Sequence, residues 1–134
     1  MNENRIIRPR RSFIFSPGLK PELFEKALSS GADMVCVELE DGVAPKDKEL
    51  ARNRSLPLFE NKIDHNVEKI LRINCIREIF GLDDIQAIIK SKSPPQALML
   101  PKVKSPDEIL IIDNLLSEKN HDTRLHIIIE TNEG

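Results

Sequence analysis

Four of the five short apolar runs in this chain end in residues able to do ionic or acid–base chemistry. In chain order the endings are Ser16-Pro17-Gly18, Glu38-Leu39-Glu40-Asp41-Gly42, Arg72-Ile73-Asn74, Leu100-Pro101-Lys102 and Glu130-Thr131. Carboxylates of this kind accept protons and bind hard cations. A planar guanidinium holds a carboxylate through two parallel hydrogen bonds, which a lysine ammonium cannot reproduce. A single charge at a strand end is most simply explained by solvation or capping. Charges on four strands in succession favour a shared pocket, provided the elements behind them bring Glu40, Asp41, Arg72, Lys102 and Glu130 together.

Those elements alternate. The apolar runs Ser12–Phe15, Met34–Leu39, Lys69–Ile73, Ala97–Leu100 and His126–Ile129 predict strands, and the second, with Val35, Cys36 and Val37, has the pattern of a strand buried on both faces. Between them, helical spacing predicts helices over Pro21–Ser29, Lys46–Phe59, Leu82–Ile89 and Pro106–Leu116. Gly31 is placed as a stop for the first helix, and Ser105 as the N-cap of the fourth with Pro106 in its first turn. About five strands interleaved with four helices define an α/β chain of βαβ units and a parallel sheet. Ligands in such folds bind at the carboxyl ends of the strands, where the charges above lie. Two architectures fit, a doubly wound open sheet and an incomplete barrel. Ser16-Pro17-Gly18 is not a dinucleotide fingerprint, and there is no P-loop.

Composition narrows the function classes. The chain has 134 residues, 40% apolar residues and a formal net charge of −2. Lys and Arg are scattered and Trp and Tyr are absent, so nothing marks a nucleic-acid surface. No apolar run approaches the roughly 20 residues of a membrane span. The basic stretch Met1–Arg11 is too short and too proline-broken for a presequence helix and lacks the apolar run of a secretory signal. Cys36 and Cys75 are expected as reduced core thiols in a cytoplasmic protein. His65, His121 and His126 have no metal-ligand spacing, which disfavours zinc.

The motifs also carry a family resemblance. Arg11-Ser12-Phe13-Ile14-Phe15-Ser16-Pro17-Gly18 resembles the opening of the HpcH/HpaI aldolase and citrate lyase beta subunit superfamily. Gly31-Ala32-Asp33 followed by Val37-Glu38-Leu39-Glu40-Asp41-Gly42-Val43 resembles its second-strand signature. Leu71-Arg72-Ile73-Asn74 with Gly81-Leu82-Asp83-Asp84-Ile85, Leu100-Pro101-Lys102-Val103 and Ile129-Glu130-Thr131-Asn132-Glu133-Gly134 resemble the next three strand ends. Five motifs in order and spacing favour the citrate lyase beta subunit-like branch.

The resemblance implies a TIM (β/α)8-barrel domain over residues 11–134, here incomplete, behind an N-terminal extension of residues 1–10. It implies a Mg2+-dependent carbon–carbon lyase that cleaves a 3-hydroxyacyl thioester of the citryl, malyl or citramalyl type to an acyl thioester and a 2-oxo acid. Glu130 then matches the metal-ligating position, Arg72 the substrate-carboxylate arginine, and Glu40 and Asp41 the paired acids, of which at most one is expected to aim into the site. Asn74 and Lys102 are weaker candidates, and the Ser16-Pro17-Gly18 turn is expected at the pocket rim, presenting backbone N–H groups. The thioester carrier is CoA or an acyl carrier protein, and the full-length enzyme is expected to be a homo-oligomer. The family's second metal carboxylate is expected after a sixth strand, outside these residues, so this chain alone should bind Mg2+ weakly. Two alternatives stay open: a half-barrel binding or assembly module, and a 4-hydroxy-2-oxo acid aldolase.

Overall fold

The computed structural model describes residues 7–62 and 65–134. Most of the basic stretch at the start, residues 1–6, therefore lies outside the described residues. The strands are β1 (Phe13–Pro17), β2 (Met34–Glu38), β3 (Glu68–Arg72), β4 (Ala97–Leu100) and β5 (Arg124–Ile127). The helices are α1 (Phe24–Leu28), α2 (Lys48–Ser55), α3 (Ile79–Lys90) and α4 (Pro106–Glu118). All five predicted strands and all four predicted helices exist, but several bounds move. The first strand runs on through Pro17, the second stops at Glu38, and the fifth begins and ends two residues early. The third helix starts three residues sooner, at Ile79. The expected helix over Lys46–Phe59 is α2 with a 3-10 turn at each end, Pro45–Asp47 and Leu56–Phe59. Pro57 explains the second turn, because it lacks the N–H that would continue an α-helical ladder.

The strands are parallel and follow sequence order, β1-β2-β3-β4-β5. A doubly wound sheet reverses its order at a switch point, whereas a βα barrel adds each strand to the same side. Unbroken order over five strands therefore selects the barrel arrangement. The register divides the side chains between two faces, since residues two apart share a face. Val35, Val37, Leu71, Leu98 and Leu100 pack with Phe24, Ala27, Leu28, Ile85, Ile88, Ile112 and Leu116 of the helices into the main core. Burying each of the larger side chains is worth about 1.5–3 kcal/mol. The other face holds a smaller cluster of Cys36, Ile70 and Ala97 with Met34 and Met99. Phe13 and Phe15 lie beside one another on that face, edge to face at 4.9 Å. Both cysteines are free and buried, and burial pushes the Cys36 thiol up to about 12, so it stays protonated as a core thiol.

Two glycines are required by close approach. A Cβ on Gly81 would sit 2.0 Å from the carbonyl oxygen of Cys75, so α3 packs on the loop after β3 only with glycine there. A Cβ on Gly18 would sit 2.4 Å from the carbonyl oxygen of Glu38. Gly31 has φ +89°, the left-handed conformation that ends the α1 segment as expected. The predicted Ser105 cap is not formed: its hydroxyl makes no capping bond, and Glu108 in the first turn of α4 accepts from the N–H of Lys104 instead, at 3.0 Å. No helix among the described residues is long and apolar enough to cross a membrane.

Candidate active site

The site is assembled where β2, β3, β4 and β5 end. Register pairs Glu38 with Arg72, and both lie on the face away from the helices. The guanidinium donates from Nε to Glu38 Oε1 at 3.1 Å and from Nη2 to Glu38 Oε2, a two-pronged charged pair. Arg72 also stacks over the Phe15 ring, 4.5 Å from its centroid. Glu38 is fastened in turn: its Oε1 accepts the backbone N–H of Glu40. Gly42 leaves room for it, since a Cβ there would meet Glu38 Cγ at 2.9 Å. Arg72 is thus held from two sides before any ligand arrives.

Beyond Glu38 the chain turns, and strand alternation no longer governs where side chains go. Of the two acids, Glu40 is turned inward and Asp41 outward to solvent, although one lysine touches both. Lys102 Nζ reaches both, at 2.9 Å from Glu40 Oε2 and 3.5 Å from Asp41 Oδ1. Glu40 is 4% exposed and its Oε1 lies 3.7 Å from Arg72 Nε, while Asp41 is open to solvent. From the start of α2, Lys48 donates to the carbonyls of Leu39 and Glu40 at 3.0 and 2.6 Å, pinning the turn from beneath. Burial pushes the Glu40 carboxyl above its ordinary value, against the pull of Lys102. The hydrogen bond with Glu40, then Lys102 and Arg72, hold Asp41 below its own. Two neighbouring carboxyls driven apart in this way divide into one that takes up a proton and one that stays charged.

Glu130 joins through the backbone. Its Oε1 accepts the N–H of Lys102 at 2.9 Å, so the residue that holds the acid pair also aims Glu130. Sequence reasoning therefore placed Glu40, Asp41, Arg72, Lys102 and Glu130 together, and the structure brings all five to one end of the sheet. It missed Glu38, the direct partner of Arg72. The available signal was its position two residues after Cys36 in a buried strand, on the face that Arg72 shares.

Two weaker expectations change. The side chain of Asn74 is committed to structure: its N–H and Nδ2 both donate to Asp84 Oδ2, at 2.9 and 2.7 Å. Asp84, fully buried, also takes Arg52 at 3.2 Å, and this triad fixes the loop that follows Arg72. The Ser16-Pro17-Gly18 turn offers no spare Gly18 N–H, because that group donates to the carbonyl of Glu38 at 3.1 Å. Pro17 has none to offer.

Comparison with known proteins places this geometry in a class. The family model for HpcH/HpaI aldolase/citrate lyase matches residues 11–134, and the chain belongs to that family. The mitochondrial citramalyl-CoA lyase of Homo sapiens is 35% identical over 101 residues, 75% of this chain and 30% of that protein. The citrate lyase subunit beta of Escherichia coli (strain K12) is 27% identical over 111 residues, 83% of this chain and 36% of that one. The chain thus spans about a third of the length of these relatives. Among solved structures, RipC from Yersinia pestis superposes with TM-score 0.72 at 35% identity, over 92% of this chain and 48% of that chain. CitE from Mycobacterium tuberculosis, in complex with magnesium, acetoacetate and coenzyme A, superposes with TM-score 0.70 at 27% identity, over 94% and 43%. The unbroken parallel strand order is the partial barrel of these neighbours.

Proposed function

We propose that this chain carries the substrate-binding and acid–base half of a Mg2+-dependent carbon–carbon lyase that cleaves a 3-hydroxyacyl thioester to an acyl thioester and a 2-oxo acid. The observation that carries the reading is the pre-held Arg72 fork with Glu40, Asp41 and Lys102 around it, at the strand ends of a parallel barrel sheet. Its support from kinship is that relatives are named citramalyl-CoA lyase and citrate lyase subunit beta, and that a neighbour was solved with magnesium and coenzyme A.

The donor set suits a hard cation that keeps most of its water. Among the described residues no three His, Cys, Asp or Glu side chains gather as a closed metal cage. A magnesium ion needs only one or two carboxylates, and Glu130, with one oxygen oriented by Lys102 N–H, is the residue that would hold it. Bound there, the ion would supply Lewis-acid stabilisation of negative charge on the hydroxy acid.

The chain's own residues do the rest. Arg72 Nε and Nη2 take the substrate carboxylate in place of, or shared with, Glu38. Glu40, buried and 3.7 Å from Arg72, accepts the proton of the substrate hydroxyl at its carboxylate. As that O–H bond yields a carbonyl, the carbon–carbon bond breaks and its electron pair passes to the thioester enolate. A proton taken up at that carbon completes the acyl thioester. Asp41, held ionised, keeps Lys102 in place beside Glu40. The free, buried cysteines Cys36 and Cys75 fit a cytoplasmic setting, and a homo-oligomer belongs to the same proposal, tested by sedimentation. Incubation with citramalyl-, malyl- and citryl-CoA, against 4-hydroxy-2-oxo acids, tests the reaction class. Release of a 2-oxo acid from a thioester supports the lyase, and turnover of the hydroxy-oxo acids alone would make it an aldolase.

A further inference from the structure

Lys102 is the residue that nothing in a simple surface-lysine account explains. Three non-glycine residues among those described have positive φ: Asn66, Asn120 and Lys102, the last at +53°. Asparagine tolerates the left-handed region because its short side chain bonds locally; lysine has no such compensation. A lysine persists there only when its surroundings determine the conformation. They do so here through every polar group it owns. Its N–H donates to Glu130 Oε1 at 2.9 Å. Its carbonyl accepts from Arg77 Nη2 at 2.9 Å, and Arg77 is itself tied to Glu108. Its ammonium lies between Glu40 and Asp41.

The charge balance gives this conformation a purpose. Glu38, Glu40, Asp41 and Glu130 gather at the strand ends with Arg72, Lys102 and Lys48, four carboxylates against three cations. Arg72 is engaged mainly with Glu38 and Lys48 with the carbonyls of Leu39 and Glu40, which leaves Lys102 as the cation paired with both Glu40 and Asp41. We propose that Lys102 is a positioning residue and the resident counter-cation of this cluster: its backbone aims Glu130, and its ammonium holds the acid pair against the same charge that draws in a divalent metal. The inference rests on the reading of Glu130 as the metal carboxylate. Its consequence is specific. Removing the ammonium while keeping the backbone leaves the cluster more negative, so a divalent cation binds more tightly. Because like charges at this range interact through partly exposed space, added salt screens the difference.

The test is titration of Mn2+ into the protein by calorimetry and by water-proton relaxation, in the wild type, Lys102→Met, Lys102→Gly and Glu130→Gln. Met keeps the side-chain length without the charge, and Gly also removes the backbone penalty, so misfolding of one does not decide the matter. The expected result is a 3- to 10-fold lower Kd in both Lys102 variants, a gap that narrows between low and 0.5 M salt, and at least a 10-fold higher Kd in Glu130→Gln. Unchanged or weaker Mn2+ binding in folded Lys102 variants, with Glu130→Gln still impaired, overturns the inference alone. Unchanged binding in Glu130→Gln overturns the metal reading beneath it.

Discussion

Two buried glutamates on the same face of this sheet, both paired with arginine, do different work. Glu68 opens β3 and Glu38 closes β2, so they sit toward opposite ends of the strands. Glu68 accepts from Arg10 Nε and Nη2, at 2.7 and 3.2 Å, and from the His126 ring at 2.7 Å. Among the described residues its partners are one cation and one imidazole, with no further acid paired to them. Burial would push its carboxyl up, but the bonds from Arg10 and His126 prevail and hold it below the usual range. Glu38 meets its arginine equally well, yet its end of the sheet carries three more carboxylates, Glu40, Asp41 and Glu130, against two more cations, Lys102 and Lys48, the second turned to backbone carbonyls. The balanced end is a closure for the sheet. The unbalanced end retains negative charge and a guanidinium already aimed, which is what a cation and an anionic substrate together require. Stability and function are therefore separated along the strands rather than between domains, as in barrels generally.

The difference can be broken at either end. The largest effect is expected from Arg72→Lys, which keeps the charge but loses the fork. KM for the thioester should rise roughly 10- to 100-fold, in line with a charged hydrogen bond of about 1.5–3 kcal/mol, with little loss of thermal stability. Steady-state kinetics beside a melting curve would check it, and an unchanged KM would remove Arg72 from substrate binding. Glu68→Ala should do the reverse, costing about 2 kcal/mol of unfolding free energy in urea while leaving KM alone. The loss stays below that of a fully buried pair, because Arg10 is half exposed and can return to solvent.

A pH titration sharpens the same contrast. A carboxyl whose folded-state pKa lies below its unfolded value near 4.5 adds stability that is complete above that value and is lost as pH falls through the folded one. Wild-type stability should thus fall more steeply below about pH 4.5 than that of Glu68→Gln. Equal slopes would show that the Arg10 and His126 bonds do not favour the ionised form. The smallest effect is expected at Ser105→Ala, within about 0.5 kcal/mol, because the Ser105 hydroxyl caps nothing and Glu108 bonds the Lys104 N–H instead.

What could be read in advance followed from how each feature is encoded. The second strand was plain because Val35, Cys36 and Val37 are covered on both sides, which demands an unbroken apolar run. The charges at the strand ends were plain because charges are rare beside such runs. Where alternation stops, at Glu38, the residue pattern no longer says which way Glu40 and Asp41 point. That is set by Lys48 and Lys102, far along the chain. Glu38 itself lay in view but reads as part of a charged loop until the register puts it opposite Arg72. The left-handed backbone of Lys102 has no local signal at all, since neither glycine nor asparagine marks it. The Asn74–Asp84 anchor was not legible, because it joins a loop residue to one ten positions on that reads as an ordinary helix carboxylate. Strand order, which chose the barrel over the open sheet, is a property of pairing between distant segments and could not come from periodicity.

The central claim is that the charged end of the sheet belongs to a metal-assisted thioester lyase, and the most direct measurement is release of 2-oxo acid from a panel of 3-hydroxyacyl-CoA thioesters with Mg2+ and with a chelator. Release that needs Mg2+ and falls sharply in Arg72→Lys is the expected result. Cleavage indifferent to the chelator, or turnover of 4-hydroxy-2-oxo acids with no thioester touched, would contradict it.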